Sequence, residues 1–232
     1  MLEYTAQGAT PQAFETTNQD LLDEPVVTPR LRAVPRAPGG DAAGVDVDAA
    51  REAVRALLRA LGHDPDAEHL RDTPRRVAET FAELLTPRPF RLTTFPNDEG
   101  YDELVLARGI RFHSLCQHHL LLFVGTAHVG YLPGERIVGL SKLARVVEHF
   151  ARDLQVQERL TQQVADCLEA ELRPKGVGVV ITAEHLCMSL RGVQATGSFT
   201  TTSALRGALR DDPRSRQELF ALTNGHLPER RV

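Results

Sequence analysis

The sequence is poor in cysteine, in lysine and in long apolar runs, and each shortage excludes something. Three cysteines in 232 residues, Cys116, Cys167 and Cys187, are too few and odd in number for a secreted disulfide framework. They suit a reducing compartment, where thiols remain available as metal ligands. No stretch approaches the roughly 18 consecutive apolar residues of a membrane span. The opening MLEYTAQGATPQAFE carries neither a charged nor an apolar targeting region. The expectation is a soluble cytoplasmic protein with no membrane partner. Charge of one sign is also lacking: 27 Lys and Arg face 31 Asp and Glu, a net of -4. No broad basic surface for nucleic acid is implied, so any anion site must be local. What is present is ordinary globular composition, 42% hydrophobic and 25% charged, enough for a sizeable core.

Residues 1–45 are rich in Pro, Thr, Gly and Ala and lack a sustained period. Such a segment buries too little apolar surface to offset its ordering entropy, so a flexible extension is expected. Residues 46–95 read as an N-terminal helical segment. Asp48 is the expected cap of a helix whose Val54, Leu57, Leu58 and Leu61 form one stripe before Gly62. Thr73 followed by Pro74 predicts a second start, with Val77, Phe81, Leu84 and Leu85 inward until Pro87. Residues 96–232 then change period. β-rich runs at 104–107 and 120–131 flank the polar knot Cys116-Gln-His-His119. Ser141 is the expected cap of a helix with Leu143, Val146, Val147 and Phe150 on one side, and a second helix spans about 156–172. Strands are expected at 177–190 and 197–203, and a last helix near 212–222. Two strands, two helices, two strands is an α+β order.

Cys116 and His119 have the C-x2-H spacing that presents a thiolate and an imidazole to one ion, and Cys187 lies on a strand-like segment. Three ligands leave a coordination position for water, which a hydrolytic metal site needs. By itself the spacing also suits buried cysteines and a satisfied histidine. Cys167, on an apolar helix face, belongs to the core. His118 adjoins His119, and on a strand His185 would share a face with Cys187. A histidine there, with an ordinary pKa of about 6.5, can move protons near neutral pH or simply orient a ligand. His113 is a possible fourth member of this cluster. Ser141, Lys142 and Arg145 open a helix, where free N–H groups, the helix dipole and two cations suit a phosphate as well as they suit a solvated face. Lysine is a departure here, since Lys142 and Lys175 stand against 25 arginines. Arg191 is a further cation near Cys187. Gln157 and Glu158 start the next helix; a carboxylate there can accept from paired purine donors, although most such pairs are only exposed helix residues.

Five segments together resemble the GTP cyclohydrolase I family. They are Leu70-Arg-Asp-Thr-Pro-Arg-Arg-Val-Ala78, His113-Ser-Leu-Cys-Gln-His-His119, Val138-Gly-Leu-Ser-Lys142, Gln155-Val-Gln-Glu-Arg-Leu-Thr-Gln-Gln163 and His185-Leu-Cys-Met-Ser-Leu-Arg-Gly-Val193. They run in the family's order over about residues 48–222. The resemblance implies the tunnelling fold, antiparallel strands with two helices between strand pairs, assembled as a homo-oligomer, usually a decamer, with sites at subunit interfaces. It implies conversion of GTP and water to 7,8-dihydroneopterin triphosphate and formate, a first step toward folate or other pterins. It makes Cys116, His119 and Cys187 ligands of Zn2+. His118, His185 and Ser141 become catalytic in proton transfer. Arg76, Ser141, Lys142, Arg145 and Arg191 become triphosphate contacts, and Gln157 with Glu158 the guanine-recognising pair. A divergent enzyme of secondary metabolism and a catalytically silent zinc-binding paralogue are the alternatives. Four positions depart from the family pattern: Gln117 where a glutamate is usual, Leu122 where a proline is common, Glu79 where several relatives carry a base, and Phe199 between Ser198 and Thr200.

Overall fold

The computed structural model describes residues 30–33 and 45–225. Helix α1 (Val47–Ala60) is capped by Asp46, whose carboxylate accepts from the Ala49 N–H at 2.9 Å. Asp48, the expected cap, sits inside the first turn and pairs with Arg51. The cap falls two residues earlier because Asp46 already has extended backbone and Val47 is helical. Helix α2 (Thr73–Leu85) likewise begins one residue before its expected start: Asp72 is the cap residue, Thr73 is helical and Pro74 is buried within the first turn. The two helices pack on each other. That packing leaves half of the α1 stripe open, with Leu57 and Leu61 more than half exposed.

Three short strands outside the expected set form a sheet of their own. β1 (Arg30–Ala33), β2 (Arg91–Pro96) and β5 (Arg136–Val138) form an antiparallel sheet in the order β1-β2-β5. β1 lies within the stretch expected to be a flexible extension, and its four residues pair from Arg30 with Thr94 to Ala33 with Arg91. Its sequence Arg-Leu-Arg-Ala alternates with period two, but four residues are too short to stand out against a Pro-rich background. The remainder of the expected extension, residues 1–29 and 34–44, lies outside the described residues. The expected division at residue 95 falls inside β2, whose pairing with β5 ties the helical segment to the C-terminal part of the chain.

The main sheet contains β3 (Val105–Cys116), β4 (Leu122–Leu132), β6 (Leu154–Gln155), β7 (Gly176–His185) and β8 (Thr200–Gly207), ordered β6-β3-β4-β7-β8. All pairings are antiparallel except β3 with β6. Helices α3 (Leu140–Ala151) and α4 (Gln157–Leu172) stand between the strand pairs in sequence and supply Leu143, Val146, Val147, Phe150, Leu160, Val164 and Leu168 to the core. The sheet answers with Phe112, Phe123, Val129, Val177, Val179 and Ile181. Burying each such side chain contributes about 1.5–3 kcal/mol, so this helix-on-sheet contact dominates the fold. Within the sheet Gly125 is required where β4 and β7 approach: a Cβ there would lie 2.1 Å from the Thr182 carbonyl oxygen.

β7 ends at His185, opposite Phe123, one residue from the start of β4 at Leu122. The chain turns into the short helix α5 (Leu186–Ser189), so Cys187 sits on a helical turn rather than on the expected strand. After β8, α6 (Ala208–Asp211) and α7 (Pro213–Asn224) complete the described chain, the latter capped by Asp212, which accepts from Arg214 and Ser215. No described helix is long and apolar enough to cross a membrane.

Candidate active site

The knot between β3 and β4 is a tight turn. Leu120 N–H donates to Cys116 O at 2.9 Å and Cys116 N–H donates to Leu121 O at 2.9 Å. Leu120 takes φ 54°, a left-handed conformation that costs a side chain about 1–3 kcal/mol and concentrates at functional sites. The turn keeps Cys116 buried at the end of β3 while His119 is exposed beside it. The pairing of Phe123 with His185 brings the end of β7 to the same place, and α5 then delivers Cys187.

The candidate ligand atoms of Cys116, His119 and Cys187 all lie within 4.8 Å of one another, and this is the one such group among the described residues. A tetrahedral ion with bonds of about 2.0–2.3 Å would hold them about 3.5–3.8 Å apart, so a shift of about 1 Å closes the set. The chemistry fits as well. Burial, and then the neighbouring Cys116 sulfur, push the Cys187 thiol up, a repulsion that a cation between the sulfurs relieves. Arg191 pulls the same thiol the other way, as a nearby positive charge must. His118 Nδ1 and His119 Nδ1 are nearly equidistant from Cys116 Sγ, at 3.8 and 3.9 Å, yet it is His119 that groups with Cys187. His118 is exposed, with its Nε2 3.3 Å from the Gln117 amide nitrogen.

His185 is held more firmly. Its ring stacks on Phe123 with centroids 4.8 Å apart and planes 2° from parallel, and its Nε2 is 2.8 Å from Gln157 Oε1. Burial holds its pKa below the ordinary histidine value, and Glu158 opposes that shift. Gln157 is fully buried, whereas Glu158, one residue on, is exposed. Sequence pattern reveals neither the stacking partner Phe123 nor the burial of Gln157; the first arises from the β4/β7 register alone.

The remaining expected site residues lie on other elements. Gly139, not Ser141, occupies the cap position of α3, and Ser141 is an exposed residue of the first turn whose side chain makes no capping bond. Lys142 comes next in that turn. Arg145 lines a cavity of about 340 Å³ with Arg88, Arg111, His113, Glu148 and Arg152. His113 therefore faces this basic cavity and does not join the cysteine cluster. Arg76 is exposed on α2 and pairs with Asp72 at 3.5 Å. Neither Arg76 nor Ser141, Lys142 and Arg145 belong to the element that carries Cys116, His119 or Cys187. Among the departures, Glu79 pairs with Arg75 at 2.8 Å, Leu122 is the first residue of β4, and Phe199 is largely exposed. Cys167 is buried in α4 with its thiol pushed up to about 12 by desolvation, as a core cysteine should be.

Residues 50–224 match the family described as GTP cyclohydrolase I. The chain is 51% identical over 181 residues to the GTP cyclohydrolase 1 of Aquifex aeolicus, covering 78% of this chain and 98% of that protein. Identity to the enzyme of the same name from Rhodopirellula baltica is 48% over 215 residues, 90% and 93% of the two chains. For Mycolicibacterium vanbaalenii it is 53% over 178 residues, 75% and 88%. Matches of this length and identity, laid over a thiol–imidazole cluster at the junction of β3, β4 and β7, establish that the chain belongs to the GTP cyclohydrolase I family.

Proposed function

We propose that the protein hydrolyses GTP to 7,8-dihydroneopterin triphosphate and formate, a first step toward folate or another pterin. The observation that carries the reading is the convergence of Cys116, His119 and Cys187 beside a buried, stacked His185. Two thiolates and an imidazole suit Zn2+ by ligand softness. When bound, the ion supplies a water whose pKa falls from about 15.7 toward 7.

The chain's own residues do the rest. His185 donates a proton to N7 of the purine as water adds at C8, and breaking the C8–N9 bond opens the imidazole ring. A second water releases C8 as formate. His118 and Ser141 move protons in the subsequent sugar rearrangement and ring closure. Glu158 accepts from the guanine N1–H and 2-amino group, in the pair the resemblance makes with Gln157. Ser141, Lys142, Arg145, Arg191 and Arg76 hold the triphosphate, and binding so far from C8 supplies positioning energy. The first turn of α3, with no side chain filling its N–H groups, favours an anion there.

Arg191 lies near Cys187 within the chain, and sites completed between subunits would bring the cations of α2 and α3 to such a cluster. β8 stands at a sheet edge, α1 leaves Leu57 and Leu61 open, and Leu190, Val193 and Phe199 are exposed close to Cys187 in sequence. A homo-oligomer of the tunnelling fold, a decamer by resemblance, would cover such surfaces. The proposed division is an extension at 1–45, a helical segment at 46–95 and a catalytic domain at 96–232, in a cytoplasmic enzyme.

Metal-loaded protein mixed with GTP is expected to release formate and develop the pterin chromophore; binding of GTP without formate would leave a silent paralogue instead. Lys142→Ala and Arg145→Ala are each expected to raise KM for GTP about 10- to 150-fold, the cost of a charged contact of about 1.5–3 kcal/mol. Neither should much affect guanosine. Equal effects on both substrates would remove the phosphate role.

A further inference from the structure

We infer that the cavity between β3 and α3 receives the terminal phosphate of the nucleotide, and that Arg111 and Arg88, which the family resemblance does not name, distinguish a triphosphate from a diphosphate there. The inference rests on the hydrolytic function proposed above and deepens its phosphate site. Ser141, Arg145 and Glu148 follow one another on α3 at i, i+4 and i+7, and Arg152 at its C-terminal cap extends the series to i+11, so all four share one face of the helix. At 1.5 Å of rise per residue, Arg145 lies about 6 Å along the axis from Ser141. A polyphosphate anchored in the first turn therefore runs toward Arg145 and into the cavity of about 340 Å³ that Arg145 lines with Arg88, Arg111, Glu148 and Arg152. That volume lies in the range of about 300–1,000 Å³ usual for small-molecule sites.

Charge decides what the cavity takes. Four guanidinium groups and the His113 imidazole face one carboxylate. That carboxylate is already shared, since Glu148 Oε1 lies 3.5 Å from Arg88 Nη1 and 3.3 Å from Arg152 Nε. Arg152 is buried and its Nη1 also donates to the Glu83 carbonyl oxygen at 2.6 Å, which makes it a brace for the wall. Arg111 and Arg145 make no ion pair or hydrogen bond with any other described residue. Phe112 and Ala151, both buried, complete the lining, and apolar walls weaken the screening of the charges beside them. A terminal phosphate brings up to about two negative charges and three acceptor oxygens, which guanidinium groups bind through paired N–H donors. A diphosphate ends one phosphate short, so it keeps the groups of the first turn and forgoes Arg111 and Arg88.

The test uses full-length, metal-loaded protein with GTP as substrate and with GDP and inorganic tripolyphosphate as competitors. Arg111→Gln and Arg88→Gln are each expected to raise KM for GTP about 10-fold, the loss of a charged hydrogen bond at its lower end, with kcat unchanged. The inhibition constant of tripolyphosphate should rise in parallel, while that of GDP hardly moves. Arg111→Lys, which keeps the charge, should recover much of the lost affinity. Calorimetry with tripolyphosphate reads the same loss without catalysis. Equal weakening of GTP and GDP, or wild-type affinity for tripolyphosphate in both glutamine variants, would overturn the inference. So would a variant that leaves the oligomer yet binds tripolyphosphate normally per folded subunit, because the guanidinium would then be pairing with a second copy of the chain. Wild type that binds tripolyphosphate through Arg111 and releases no formate would instead defeat the hydrolytic reading and leave the phosphate pocket standing.

Discussion

Cys187→Ser is expected to lose bound metal and formate release together, and Cys116→Ser and His119→Ala should behave in the same way. The three candidate ligand atoms lie within 4.8 Å of one another, so deleting one leaves two donors and no tripod. Serine is a poor substitute because its neutral hydroxyl offers neither the charge nor the softness of a thiolate. Nothing else in the site lowers the pKa of water by several units, and the rate should fall by about 10³-fold or more. Metal content per subunit by mass spectrometry, beside a formate assay, reads both losses. Cys167→Ser is the control. Its thiol is buried in α4 and held up to about 12, remote from any role as a thiolate ligand. That variant should keep its metal and its turnover per folded subunit. A metal-free Cys187 variant working at full rate would remove the metal from the reaction.

Much of this site is legible in the sequence because its residues sit where pattern is strongest. The knot between two β-rich runs marks the turn that joins Cys116 to His119, and the apolar stripes of α3 and α4 mark the faces buried on the sheet. The features that escape are set by pairing across the chain. β1, β2 and β5 are four, six and three residues long, and their existence depends on one another rather than on local propensity. The strand expected through Cys187 fails because a strand persists only while a neighbour pairs with it, and β4 begins at Leu122. The helix starts are displaced by one or two residues for a local reason: Asp46 and Gly139 adopt extended backbone just where Asp48 and Ser141 offer the better-looking side chains. His113 is separated from the other histidines by strand alternation, which points it toward Arg145 instead of Cys116. The burial of Gln157 has no sequence signal, since glutamine at a helix start is ordinarily exposed.

His118→Ala and His185→Ala are expected to keep the metal and still lose about 10²- to 10⁴-fold in kcat, the usual share of positioned acid–base catalysis. The two histidines reach this outcome from different surroundings. His185 is stacked on Phe123 and bonded to Gln157, and burial favours its neutral form, so a proton acquired there is held loosely and passed on readily. His118 is exposed beside the Cys116 sulfur and the Gln117 amide, a position open to proton exchange with solvent. Metal content is the discriminating measurement for His118, because its Nδ1 lies as near to Cys116 Sγ as that of His119 does. If His119 is the ligand, the His118 variant retains a three-donor set and its full metal, and GTP still binds through groups that the substitution does not touch. A His118→Ala protein without metal, or a His119→Ala protein that keeps it, would exchange the roles of the two adjacent histidines.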